Sequence, residues 1–184
     1  MVATLPHKLK KRAAPAILIT GSPGCGKSTL LARLVEDIGD RQIAGLSTPE
    51  VRRGKVRVGF KMIDLATGEE EIFASTWGKW GKGPIVGKYH VDVEAIDRII
   101  AKIESSLAAA RFIFIDEIGK MELFSNRFEE FVDDVFAFGK PVVAVVHRKL
   151  IRRYRDKGQL LTLTRKNFEQ LRARIGADLK AWRA

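Results

Sequence analysis

The sequence has little that would suit a secreted or membrane protein. Its 184 residues include a single cysteine, Cys25, which excludes an internal disulfide and a zinc cluster of cysteines. No stretch approaches the roughly 18 consecutive apolar residues that a membrane-spanning helix needs. The first 15 residues lack the apolar segment and cleavage site of a signal peptide. We therefore expect a cytoplasmic protein without membrane contact.

Amide side chains are also scarce, with two Asn and three Gln beside 30% charged residues. This balance is common in proteins of thermophiles and suggests such a source. Apolar residues make up 46% of the chain, which is enough for a buried core, and the length suits one domain. We expect a monomer with a single domain over residues 15–184, preceded by a basic mobile arm over residues 1–14.

The formal net charge of +11 is concentrated at the two ends of the chain. Residues 1–12 carry four basic side chains, and residues 148–184 carry twelve basic against three acidic ones. A basic end can bind the phosphates of RNA or DNA, can face a nucleoside triphosphate, or can be a solvated surface. The sequence leaves these three interpretations open.

Short apolar runs alternate with helical patterns along the chain. Runs typical of strands that are buried on both faces occur at 16–19, 112–115, 142–146 and 160–163. Helical periodicity occurs at 28–38, 93–109 and 127–138 and in an amphipathic stretch over 168–182. This alternation predicts an α/β fold, with a mostly parallel sheet flanked by helices.

Residues 51–75 follow a different pattern. Alternating apolar residues are punctuated there by Arg53-Gly54 and Thr67-Gly68, which predicts an antiparallel hairpin insertion. The next stretch, WGKWGKGP over 77–84, has the glycine content of a loop that can close over a ligand.

The strongest motif is GSPGCGKS at 21–28, which matches G-x-x-x-x-G-K-[ST] between a predicted strand and a predicted helix. The glycines let backbone N–H groups and the helix N-terminus surround a phosphate. Lys27 is expected to reach the β- and γ-phosphates, and Ser28 to bind Mg²⁺. The predicted nucleotide contacts are Gly21, Ser22, Pro23, Gly24, Cys25, Gly26, Lys27, Ser28 and Thr29.

A second motif is the apolar run that leads into Asp116 and Glu117. Because ligand sites of parallel sheets lie at the carboxyl ends of the strands, these acids should lie beside the phosphate-binding loop. Asp116 is then expected to hold Mg²⁺ together with Ser28, and Glu117 to orient or deprotonate a water molecule. A carboxylate that activates water favours hydrolysis over phosphate transfer to a second substrate.

Several segments together resemble the nucleoside-triphosphatases first described from thermophiles, a P-loop NTPase family with a cancer-related vertebrate member. They are the P-loop, STPEVRRG at 47–54, VGF at 58–60, VGKYHV at 86–91, DEIGKME at 116–122 and HR at 147–148. The resemblance spans about residues 17–172. It implies Mg²⁺-dependent hydrolysis of ATP, GTP and other nucleoside triphosphates to diphosphates, with little base preference.

The resemblance also points to further side chains. Glu122 can help to place the water or the metal, or it can be an acid near the start of the next helix. Arg148, like Arg52 and Arg53, is a candidate for the cation that stabilises charge on the transferred phosphate. Thr48 can contact the metal or water, or be a turn residue.

The family often has a T-x-x-N-R pattern near the base, and here Phe168 follows Thr164 and Asn167 in place of the arginine. Asn167 and Gln170 also fit a helix N-cap with a reciprocal capping side chain, so the segment has a structural explanation as well.

The leading prediction is an Mg²⁺-dependent nucleoside-triphosphatase in which Lys27, Glu117, Glu122 and Arg148 are catalytic. One alternative is a nucleotide or polynucleotide 5′-kinase, which would need an acceptor hydroxyl. The other is a nucleotide-dependent module that binds RNA or DNA through the basic C-terminal segment, with an affinity that falls steeply with salt.

Overall fold

A mixed β-sheet lies at the centre of the computed structural model, which describes residues 14–39, 42–77 and 83–182. Its strands are β1 (Ala16–Gly21), β2 (Ile43–Ser47), β3 (Glu50–Arg53), β4 (Val56–Asp64), β5 (Glu70–Ser75), β6 (Ile85–Val86), β7 (Tyr89–Val91), β8 (Phe112–Ile118), β9 (Val142–Val146) and β10 (Gln159–Leu163). The helices are α1 (Lys27–Ile38), α2 (Val93–Ser106), α3 (Asn126–Ala137), α4 (Ile151–Tyr154) and α5 (Phe168–Ala181).

The order of the strands puts the carboxyl ends of five of them at one edge. The order is β10-β1-β9-β8-β2-β4-β5-β7-β6, with β3 paired to β4. The strands from β10 to β2 are parallel, and the pairings from β4 onwards are antiparallel. Since β3 pairs with the first half of β4 and β2 with its end, the β3–β4 hairpin extends beyond the carboxyl edge of the parallel strands.

Alternate residues of the parallel strands pack into two hydrophobic cores, one on each face of the sheet. In β1, Ile17 and Ile19 pack with apolar residues of α1 and α5, whereas Leu18 packs with those of α2 and α3. Burial on both faces explains why these strands are continuous apolar runs instead of alternating ones.

The predicted α/β fold with a mostly parallel sheet and flanking helices is confirmed. The antiparallel insertion is present as well, and it is larger than one hairpin because β6 and β7 extend it. Two predicted segments lie outside the described residues. They are the basic arm over 1–14, of which only Ala14 is described, and the centre of the glycine-rich loop, 78–82. Among the described helices, none is long and apolar enough to cross a lipid bilayer.

The sequence patterns missed β2, whose sequence IAGLS is short and contains small residues. Gly45 lies in this strand with a φ of 116°, and a Cβ built on it would come within 1.9 Å of the Phe114 carbonyl oxygen of β8. The close approach of β2 to β8 therefore requires glycine at this position.

We expect Gly45→Ala to lower the free energy of unfolding by on the order of 3 kcal/mol, because alanine meets both an unfavourable φ and backbone atoms of β8. Gly176→Ala is the matched control, since nothing lies within 4 Å of a Cβ at this position in α5. The control should gain about 0.5–1 kcal/mol from its better helix propensity. Urea unfolding of both variants measures the two effects, and equal stabilities would contradict the close contact between β2 and β8.

Candidate functional site

The phosphate-binding loop connects β1 to α1 at the carboxyl edge of the sheet. Gly24 and Gly26 have positive φ angles of 70° and 102°, and Gly26 immediately precedes the first residue of α1. The Lys27 ammonium donates to the carbonyl oxygens of Gly21 and Ser22, both at 3.2 Å. Lys27 therefore lies along the loop at the positive N-terminal end of the helix.

Packing from two neighbouring elements holds this loop. A Cβ on Gly21 would lie 2.5 Å from the Leu163 carbonyl oxygen and 2.8 Å from the Cys25 sulfur. A Cβ on Gly26 would lie 3.3 Å from the Phe168 ring. The Cys25 thiol is buried in the core below the loop, so Cys25 can reach a nucleotide only through its backbone.

Asp116, the acid that is predicted to hold Mg²⁺ together with Ser28, lies near the start of α1. Phe112 and Phe114 face the α1 side of the sheet, and Asp116 follows them in the same alternation. The exposed Ser28 hydroxyl lies near the Asp116 carboxylate. Burial raises the pKa of Asp116 to about 6, hydrogen bonding to Ser28 opposes this shift, and the charge of Glu117 adds to it.

Glu117 and Glu122 converge on one side of Gly119. A Cβ built on Gly119 would lie 3.2 Å from Glu117 Oε1 and 2.5 Å from Glu122 Oε2. The backbone N–H of Glu117 donates to the Thr48 hydroxyl at 3.2 Å, which ties the acid to the end of β2. Burial raises the pKa of Glu117, and the Lys27 ammonium lowers it.

Glu122 is a buried acid, with 6% of its surface exposed, in the first residue of a 3-10 turn. Burial raises its pKa to about 8, backbone N–H groups oppose the shift, and the charges of Glu117 and Asp116 add to it. The carboxyl of Glu122 is therefore mostly protonated at neutral pH and can donate a hydrogen bond. Glu122 lies four residues before α3, and the helix is capped by Ser125, whose side chain accepts from the Phe128 N–H.

Arg148 lies beside the loop, as the sequence predicted. A small pocket is lined by Gly21, Pro23, Lys27, His147 and Arg148. His147 Nδ1 accepts from the N–H of Lys149, and burial together with the neighbouring positive charges lowers the pKa of His147. The imidazole is thus largely neutral near pH 7, and the cations of this pocket are Lys27 and Arg148.

The other two candidate arginines have partners within the antiparallel part of the sheet. Arg52 pairs with Glu50 at 2.5 Å, and the guanidinium of Arg53 lies over the Trp77 ring at 5.2 Å. The structure does not place either of them in the pocket with Lys27.

The segment after β10 folds through its own side chains. The Asn167 amide accepts from the Thr164 N–H at 2.8 Å and donates to the Thr162 carbonyl at 3.0 Å, and Thr164 accepts from the Asn167 N–H. Asn167 is the N-cap residue of α5, as predicted, but its side chain makes no capping hydrogen bond to that helix; Thr164 and Asn167 instead form a capping box at the preceding 3-10 turn. The spacing T-x-x-N is itself a capping-box pattern and could have indicated this.

A groove larger than the pocket beside Lys27 lies elsewhere on the described surface. It runs between α1 and α5, where Arg172 pairs with Asp37 at 2.7 Å. The predicted site residues lie at the carboxyl edge of the sheet and do not line this groove. This indicates that the functional site is at the carboxyl edge, where parallel sheets bind ligands.

Comparison with known proteins agrees with this geometry. A family model described as NTPase matches residues 16–176. The nucleoside-triphosphatase THEP1 of Methanocaldococcus jannaschii is 42% identical over 89% of this chain and 99% of its own length. The THEP1 of Thermococcus kodakarensis is 43% identical over 89% of this chain and 91% of its own.

Two solved structures are similar in fold and sequence. The crystal structure of THEP1 from Aquifex aeolicus has a TM-score of 0.76 and 34% identity, covering 87% of this chain and 96% of that one. The solution structure of a human cancer-related nucleoside triphosphatase has a TM-score of 0.73 and 26% identity, covering 91% and 98%. The chain therefore belongs to the NTPase family that includes the THEP1 nucleoside-triphosphatases.

Proposed function

We propose that this protein catalyses the Mg²⁺-dependent hydrolysis of nucleoside 5′-triphosphates to diphosphate and phosphate, with low base selectivity. The observation that carries the proposal is the position of Ser28 and Asp116 next to each other at the P-loop, with two further acids beside them. Family membership supports the triphosphatase activity, and the arrangement of side chains supports the individual roles.

The donor atoms at this site suit Mg²⁺. The Ser28 hydroxyl and the Asp116 carboxylate are hard oxygen ligands that already lie together. Mg²⁺ is commonly held by one or two protein oxygens plus phosphates and water, and no cluster of three or more acids, histidines and cysteines in the described ranges could hold a metal by itself. When bound, the ion would neutralise charge on the β- and γ-phosphates.

The phosphates themselves are held by the loop amides and by two cations. Lys27 lies along the loop, and Arg148 lines the same pocket from the end of β9. A cation that contacts the γ-phosphate stabilises the charge that develops as the terminal bond breaks.

Glu117 is the group that activates water in this proposal. Burial raises its pKa, which makes the carboxylate a better general base, and Thr48 fixes its backbone. Glu122 is a positioning residue, because a protonated carboxyl beside Glu117 can donate a hydrogen bond without adding a second negative charge. A base directed at water is also our reason to prefer hydrolysis over the kinase alternative.

The segment after β10 supports low base selectivity. The Asn167 amide accepts from the Thr164 N–H and donates to the Thr162 carbonyl, so the backbone already uses one acceptor and one donor position of this side chain. Phe168 offers an aromatic ring beside Gly26, and stacking on a ring suits every base. The monomeric state, the cytoplasmic location and the thermophilic source stay predictions.

We expect phosphate release from ATP, GTP, CTP and UTP with Mg²⁺, and a loss of about 10² to 10⁴ in kcat for Glu117→Gln with nucleotide affinity retained. Glu130→Gln, an exposed acid of α3, is the control and should match the wild type. Release that starts only when an acceptor hydroxyl is added would favour the phosphotransferase instead. An unchanged rate for Glu117→Gln would remove this residue from its role.

Arg148→Ala should lower kcat by about 10² or more, because it removes a cation from the pocket next to Lys27. Arg152→Ala removes the same charge from α4, outside the residues that line this pocket, and is the matched control. Steady-state kinetics with ATP compare the two variants. Equal effects would mean that Arg148 contributes only general surface charge.

The pKa of Glu122 predicts a pH-dependent cost to stability. Because its folded-state pKa is raised from 4.5 to about 8, the folded protein binds more protons than the unfolded chain between these values, and stability falls as pH rises. Glu122→Gln cannot ionise, so the difference between its free energy of unfolding and that of the wild type should shift in favour of the variant by about 1.4 kcal/mol per pH unit across this window. If the free energies of unfolding of the two proteins instead change in parallel with pH, Glu122 is ionised in the folded state.

A further inference from the structure

Two exposed cations border the P-loop on the side of β10. The ends of the segment 164–167 touch the loop, since Leu163 lies against Gly21 and Phe168 against Gly26. Arg165 and Lys166 lie within this segment, in an exposed 3-10 turn. Within the described part of the chain neither forms an ion pair with a carboxylate, so both can bind an anion from solution.

Other cations of the basic C-terminal segment are neutralised by acids of neighbouring helices. The pairs are Arg153 with Glu129, Lys157 with Asp133, and Arg172 with Asp37. The segment is therefore not a uniform nucleic-acid surface. Next to the nucleotide site, Arg165 and Lys166 are the cations on the side of β10, while Arg148 lies on the side of β9.

The order of the strands indicates the direction in which a bound nucleotide runs from its γ-phosphate to its nucleoside. The groups that bind and cleave the γ-phosphate follow β8 and β9, which lie on one side of β1. β10 lies on the other side of β1. The nucleoside end of a triphosphate therefore leaves the loop toward β10 and α5, where Arg165 and Lys166 lie.

We propose that the substrates of this site include single-stranded polynucleotides with a 5′-triphosphate, whose downstream phosphates bind Arg165 and Lys166. This inference rests on the proposed triphosphatase function. A phosphate attached to the ribose 3′ oxygen of the first nucleotide continues the chain outward from the loop, toward these two cations. Because Thr164 and Thr162 already bind the Asn167 amide, we expect that the first nucleotide can be any of the four.

The reaction is the same hydrolysis with a larger leaving group. A water oxygen bonds to the γ-phosphorus, the bond between that phosphorus and the β–γ bridging oxygen breaks, and the bridging oxygen stays on the β-phosphate. Glu117 accepts the proton of the water. The products are inorganic phosphate and a polynucleotide with a 5′-diphosphate, and no oxidant, reductant or second substrate is required.

The test compares three molecules on the full-length protein with Mg²⁺. They are a ten-nucleotide single strand with a 5′-triphosphate, the same strand with a 5′-hydroxyl, and the nucleoside triphosphate that matches the first nucleotide. Phosphate release gives kcat/KM for the two triphosphates, and fluorescence anisotropy at low and moderate salt gives the affinity of both strands. The variants are Arg165→Gln/Lys166→Gln and, as control, Arg174→Gln/Lys180→Gln.

The control pair removes the same charge from α5. At the rise per residue of an α-helix, Lys180 lies about 20 Å along the helix axis from Lys166. We expect the wild type to prefer the triphosphorylated strand over the mononucleotide by about tenfold or more in kcat/KM. The first double variant should lower this ratio by about tenfold, and the control should leave it as in the wild type. The preference should weaken as salt increases, because phosphate contacts release counterions.

Each other outcome identifies which idea fails. Hydrolysis of the mononucleotide without hydrolysis of the strand overturns this inference and leaves the triphosphatase intact. No release from either molecule removes the proposed function and this inference with it. Equal affinity for the 5′-hydroxyl strand shows a general nucleic-acid surface and overturns recognition of the triphosphate end, as does a control pair with the same effect as the Arg165 and Lys166 pair.

Discussion

The proximity of Ser28 and Asp116 is the arrangement on which the site depends. It brings the start of α1 next to β8, although Ser28 and Asp116 are almost 90 residues apart in the chain. The parallel pairing of β1, β9 and β8 makes this arrangement possible, because it ends these strands at one edge. Without this alignment, the P-loop and Asp116 would lie on different parts of the molecule.

Three acids beside a site for a polyanion pose an electrostatic problem. The fold reduces it by burying Glu122 deeply enough that its carboxyl stays protonated near neutral pH, and by placing Lys27 close to Asp116 and Glu117. Glu122 thus occupies its position as a neutral carboxyl, and the charges that remain among these three acids are those of Asp116 and Glu117.

The parts of the structure that depend on local sequence were predictable. The P-loop, the apolar run before Asp116 and the helical periodicities each carry their signal within a few residues. The neighbourhood of Glu117 and Glu122 was not predictable, because Gly119 and Thr48 reach these acids through tertiary packing. β2 was missed for a similar reason, since Gly45 weakens the strand pattern and is needed only because β8 approaches so closely. The role of Asn167 was misjudged because two capping patterns overlap in its sequence.

The ion pairs that neutralise much of the C-terminal segment have a consequence for the response to heat. Arg172 with Asp37 and Lys157 with Asp133 each connect helices or turns that are distant along the chain. Exposed pairs of this kind add little at room temperature. The cost of removing water from charged groups falls as temperature rises, while the stabilisation from buried apolar surface levels off. On warming, these surface contacts therefore provide a growing share of the cohesion between α5 and α1 and between α3 and the turn that holds Lys157. High salt should then lower the free energy of unfolding more at high temperature than at room temperature.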